Sequence, residues 1–115
     1  MVTKANDQKI TVNEHMRDGK GSVKLRQLIT PEQFCGHGRL FSVITLEPGC
    51  SIGWHVHTGE SETFYIMQGT AKLNDNGVEK TLSPGDCSYT ASGEGHSIEN
   101  TGTDTLSLAA LIVKA

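Results

Sequence analysis

Turn-forming residues interrupt this chain at short, fairly regular intervals, and that spacing limits its fold more than any other feature. The breaks fall at Glu47-Pro48-Gly49, Asn74-Asp75-Asn76-Gly77, Ser83-Pro84-Gly85-Asp86 and Asn100-Thr101-Gly102-Thr103-Asp104. The Asn-Gly pair predicts a tight hairpin because both residues tolerate positive φ. Pro84 presets φ at the second position of a type I or II turn. Between the breaks, helical periodicity is almost absent and the residues are apolar or β-branched. The candidate strands are 9–16, 22–30, 40–47, 51–57, 62–68, 70–75, 78–83, 87–91, 96–101 and 105–113. Only 30–38 is expected to hold a helical turn or an ordered loop. So many short strands in 115 residues cannot lie in one flat sheet, so a sandwich or a barrel is expected.

Two stretches carry chemistry. Residues 49–69 read GCSIGWHVHTGESETFYIMQG. His55 and His57 are two apart, so on a strand both rings face the same way, roughly 6.6–6.8 Å apart along the chain. The four-residue turn after His57 lets the next strand return antiparallel and bring Glu62 to the same point. Residues 85–100, GDCSYTASGEGHSIEN, put His96 at the start of a strand after a glycine-rich loop. Three imidazoles and one carboxylate form a borderline-hard donor set suited to one divalent ion of Mn, Fe, Co, Ni or Zn. A carboxylate facing a barrel interior is costly unless paired, and a metal removes that cost for Glu62.

Both stretches resemble the two motifs of the cupins. Gly49, His55, His57, Glu62 and Gly69 fit every fixed position of the first, and Gly85, Gly93, His96 and Asn100 fit the second. Ala91 departs from the second motif, which usually has Pro there, and so removes a φ constraint from the loop before His96. The resemblance implies an all-β, double-stranded β-helix (jelly-roll) barrel with the metal in its mouth, and pairing into homodimers. One domain is expected over 1–115, its core roughly 22–113. Residues 1–21 are expected to form an N-terminal strand segment able to exchange across a dimer. The fold implies no single reaction.

Strand alternation puts Phe64, Ile66 and Ile98 on inward faces as candidate cavity walls, and turns Trp54 and Tyr65 outward. His37 joins the cavity candidates because its glycine-flanked loop can lie over a barrel mouth. Gly53, Gly93 and Gly95 are expected to leave room there. His15, among charged neighbours, is expected at the surface. No second carboxylate stands out as a general base. Glu60, Glu94 and Glu99 fall in turns or near strand ends, and Glu94 is the least poor candidate.

A net charge of −3 gives no footprint for nucleic acid or an anionic membrane. The longest apolar run, residues 106–113, is far short of the ~20 residues of a membrane helix. The first residues lack the apolar core of an export signal. Three cysteines form no paired framework, so reduced thiols and a cytoplasmic location are expected. The function expected first is a metal-dependent enzyme acting on a small polar carboxylate, enol or sugar derivative, as a dioxygenase, decarboxylase, isomerase or lyase. The alternative is a non-catalytic binding or sensing module with the metal as ligand anchor, and a closed structural zinc is a third reading. The donors and a divalent ion sum to +1, so oxalate, malonate or a similar bidentate acid is the expected kind of ligand.

Overall fold

The turns adopt the conformations their residues favour. Asn76 and Gly77 both take positive φ, 50° and 99°, which joins their flanking strands in the two-residue hairpin expected of Asn-Gly. Gly85 follows Pro84 with φ 94°, and Asp86 N–H donates to Ser83 O at 2.9 Å, closing a type II turn. In the computed structural model, which describes residues 1–115, such turns separate ten strands. These are β1 (Ile10–Glu14), β2 (Ser22–Gln27), β3 (Gly38–Leu46), β4 (Ser51–Val56), β5 (Glu60–Gln68), β6 (Ala71–Asp75), β7 (Val78–Leu82), β8 (Cys87–Thr90), β9 (Gly95–Asn100) and β10 (Leu106–Lys114). Each lies within or close to a strand predicted from sequence.

The strands form two antiparallel sheets, ordered β1-β2-β3-β10-β5-β8 and β4-β9-β6-β7. β10 runs between β3 and β5, and β9 between β4 and β6, and apart from the β6–β7 hairpin successive strands from β3 onward alternate between the sheets. This is the jelly-roll arrangement. Alternation decides what each strand buries: Leu106, Leu108, Ala110 and Ile112 of β10 point between the sheets, as do Phe64 and Ile66 of β5. They join Ile44, Leu46, Leu73 and Ile98 in a continuous apolar core. Burying a side chain of this kind stabilises the fold by about 1.5–3 kcal/mol.

Two features depart from the sequence reading. One-turn 3-10 helices form at Ala5–Asp7 and Met16–Asp18 as well as at Pro31–Phe34, so 30–38 is not the only helical turn. Alternation is also broken by β-bulges. β4 gains a residue between Ile52 and His55 relative to β9, and β3 gains one at Arg39 relative to β10. These two bulges lie at the end of the barrel that carries the histidines, and a third gives β5 an extra residue at Met67 relative to β10.

Candidate metal centre

The bulge in β4 is what turns the first two histidines inward. Ile52 is buried opposite Ile98, and an unbroken strand would then send residues 53, 55 and 57 outward. The extra residue resets the alternation, so His55 pairs with His96 and faces the interior with it. Trp54 is left outside, half exposed, with its ring against Gly95 of β9. Glu62 arrives on β5 and His96 on β9, both buried. The four predicted donors are brought together, with one ligand atom from each lying within 4.8 Å of the others.

Their spacing is informative. His57 Nε2 lies 3.1 Å from His96 Nε2, which lies 3.1 Å from His55 Nε2. Glu62 Oε1 is 3.0 Å from both His57 Nε2 and His96 Nε2, but 3.9 Å from His55 Nε2. Four donor atoms this close together could hold one divalent ion.

The other ring nitrogens settle which atoms face inward. His55 Nδ1 is 2.8 Å from Gly53 O, and His57 Nδ1 is 3.1 Å from Glu60 Oε1. Both partners only accept, so each Nδ1 carries the proton and each Nε2 presents a lone pair. His96 Nδ1 meets the Thr90 hydroxyl at 2.9 Å, and its ring stacks on Phe64 with centroids 4.8 Å apart. Lone pairs and a carboxylate oxygen this close together repel one another unless a cation lies among them, and a divalent metal fits that need.

Glu60 is the residue that sequence reasoning missed. Arg39 donates to both of its oxygens at 2.7 Å, and that pairing, with help from His57, holds the Glu60 carboxyl at about 2. Glu60 is thus a fixed anion that orients His57. Its parity with Glu62 was the available signal, since residues 60, 62, 64 and 66 share one face of β5. Glu94 has a different task. Its Oε1 accepts from Ala91 N–H at 2.9 Å, and its backbone O accepts from His57 N–H at 3.0 Å. A proline at 91 could not make the first bond, so Glu94 supplies the stiffness the departed Pro would have given. Asn100 is buried and bridges the carbonyls of Leu46 and Asp104, each at 2.8 Å, which is a structural role. Glu99 pairs at the surface with Lys20, and His15 is exposed.

A cavity of about 60 Å³ adjoins His55, His57 and Glu62. Its apolar wall is Leu25, Leu40, Ile44, Ile52 and Ile112, and Met16, Arg17 and Arg39 complete it. The residues expected to line it lie elsewhere: Phe64 backs His96, Ile66 and Ile98 belong to the deeper core, and His37 is exposed on its loop. Parity gave their direction correctly but not their depth. Gly53 and Gly95 leave no room either, because Arg17 backbone lies against the first and Trp54 against the second.

The turn bearing Arg17 is strained. His15, Arg17 and Asp18 all have positive φ, between 51° and 62°, a conformation costing roughly 1–3 kcal/mol per non-glycine residue. Contacts elsewhere hold it. Asp18 N–H donates to His15 O at 3.0 Å, Gly19 N–H to Met16 O at 3.0 Å, and Lys20 pairs its backbone with Ser51. Side chains at Gly19 or Gly53 would collide with the opposing backbone.

Comparison with known proteins agrees with this geometry. A family model described as "Cupin domain" matches residues 42–113, which hold both motifs. The chain is 43% identical over 99 residues to the oxalate-binding protein of Thermotoga maritima, covering 86% of this chain and 82% of that one. It superposes with a TM-score of 0.96 and 39% identity, over 100% of both chains, on a crystal structure described as a predicted oxalate decarboxylase from Thermotoga maritima. An RmlC-like cupin from Shewanella frigidimarina shares the fold at TM-score 0.75 and 17% identity, covering 98% of this chain and 89% of that one. The chain belongs to the cupin family.

Proposed function

We propose that His55, His57, Glu62 and His96 hold one divalent transition metal, of the Mn, Fe, Co, Ni or Zn group, and that the metal anchors a small dicarboxylate of oxalate size. The observation that carries this reading is the cluster of three imidazole nitrogens and one carboxylate oxygen within 4.8 Å of one another, beside a cavity large enough for only a few heavy atoms. The likeness to an oxalate-binding protein supports the same class of ligand. A bound metal supplies a Lewis-acidic anchor for carboxylate oxygens. The chain's own residues hold the His55 and His57 imidazoles in one tautomer, and five aliphatic side chains keep water from the apolar side.

Binding is favoured over decarboxylation. Losing CO₂ from a dicarboxylate leaves an electron pair on carbon that must take a proton. The only carboxylate on the cavity wall is the donor Glu62, and nearby Glu60 is tied to Arg39 and His57 as an anion. Protein purified without added metal and analysed for its elements should carry one transition metal per chain. Oxalate and malonate should raise the melting temperature of the metal-loaded form and not of the metal-free form, since a ligand specific to the folded state adds stability by mass action. Formate release from oxalate would move the reading to the enzyme. A tetrahedral zinc site indifferent to oxalate would move it to a structural metal.

The protein is further proposed to be a homodimer. β1 is the outer strand of the six-stranded sheet, with its far edge unpaired. That sheet's outer face exposes Ile10, Val12, Tyr65, Met67 and Tyr89, a patch suited to a second copy. Light scattering at micromolar concentration giving a mass near 12.4 kDa would count against it.

A further inference from the structure

We infer that the strained turn His15–Gly19 is the specificity element of the site, and that Arg17 receives the outer oxygens of the bound dicarboxylate. This rests on the metal-anchored reading above. Two arginines line the cavity, and they are not equivalent. Arg39 is committed to Glu60 by two hydrogen bonds of 2.7 Å. Arg17 forms no ion pair within the chain, although it lines the same cavity as His55, His57 and Glu62.

The backbone around Arg17 is built at some cost to hold it there. Three non-glycine residues adopt left-handed φ within four positions, and glycines at 19 and 53 let the turn lie directly on β4. Strain of this kind survives only where surrounding contacts enforce it, and it concentrates at ligand sites. Charge gives a second, independent argument. With Arg39 and Glu60 cancelling, Glu62, a divalent metal and Arg17 sum to +2, which matches a dianion and overcompensates a monoanion. Size gives a third. A water needs roughly 10–15 Å³ of such volume, so 60 Å³ holds a ligand of only a few heavy atoms. A planar guanidinium donates to two carboxylate oxygens at once, which a lysine cannot reproduce.

The test uses the full chain loaded with Co²⁺, titrated with oxalate and with acetate by calorimetry and by the cobalt absorption band. Arg17→Asn removes the charge with a residue that tolerates left-handed φ, and Arg17→Lys restores charge without the fork. The asparagine variant should bind oxalate at least ~10-fold more weakly, with acetate affinity and cobalt content unchanged, and the lysine variant should fall between it and the parent. Oxalate affinity within about two-fold of the parent in Arg17→Asn would overturn the role of Arg17 while leaving the proposed function standing. Equal losses for oxalate and acetate, or loss of cobalt, would overturn it in favour of a structural role. A parent that binds cobalt but not oxalate would overturn the proposed function itself.

Discussion

The two sides of the site are built on opposite principles. On the inner side, His57, Glu62 and His96 are buried and held by satisfied partners: Glu60 and Arg39 behind His57, Thr90 and Phe64 behind His96. None of these residues has positive φ. On the outer side, the turn at 15–19 is exposed, short and conformationally strained, and it stays in place through close backbone contact with β4. The inner side resembles a rigid socket, in which each buried side chain has one orientation. The outer side is where ligand selection can vary without disturbing the metal. The division follows from physics, because donor atoms must be placed to a few tenths of an ångström, whereas a surface turn can change residues at small cost to the core.

The comparison breaks most easily on the inner side. Glu62→Gln removes the only anionic donor and should lower metal affinity by more than ~100-fold, measured by competition with a chelator, since losing an outer partner alone costs 10–100-fold. His57→Ala should do comparable damage. Unchanged metal content at equal free metal would end the ligand assignment. Next comes Glu60→Gln, which keeps the shape but not the charge that orients His57. Metal affinity should fall about 10-fold, and an unchanged value would reduce Glu60 to a surface ion pair with Arg39.

On the outer side the expected effects are smaller and fall on a different quantity. A Gly19→Ala side chain would meet Ser51 O, Gly53 N and Met16 O, so the turn must lift from β4. Oxalate affinity should drop several-fold while metal affinity stays within about two-fold of the parent. A parallel loss of both would show that the two sides are one unit. The smallest effect is a pH dependence. Glu60 sits at about 2 rather than the usual 4.5, chiefly through Arg39. A lowered carboxylate pKa stabilises the fold above the ordinary value and loses that contribution as pH falls from about 4.5 towards 2. In metal-free protein, Arg39→Met should therefore melt below the parent at pH 6, with the gap closing towards pH 2. Arg39 is half exposed, so the gap should be modest, and a gap that widens on acidification would contradict the assignment.

Much of this was legible in the chain itself. Turn residues at 47–49, 74–77, 83–86 and 100–104 marked the strand breaks, because Gly, Asn and Pro act on local φ and need no distant partner. The candidate donors were legible because His55-x-His57 and Glu62 fall within eight residues and His96 sits in a second motif of its own. Glu60 was within reach by parity but was set aside as a turn residue, because its strand begins two positions earlier than the apolar pattern suggests.

The sequence alone determined the strand inventory, the places of the turns and the four side chains proposed as donors, through local backbone preference and the spacing within two motifs. Tertiary structure decided the rest. The bulge between Ile52 and His55 exists only relative to β9, yet it is what turns both histidines inward. The bulge at Arg39 exists only relative to β10. The depth of Phe64, Ile66 and Ile98 depends on the sheet packed opposite, and the left-handed turn at Arg17 is held by backbone contacts with a strand more than thirty residues away. Alternation gives a side chain its direction, but its depth and exact aim are fixed by how strands from distant parts of the chain pack together.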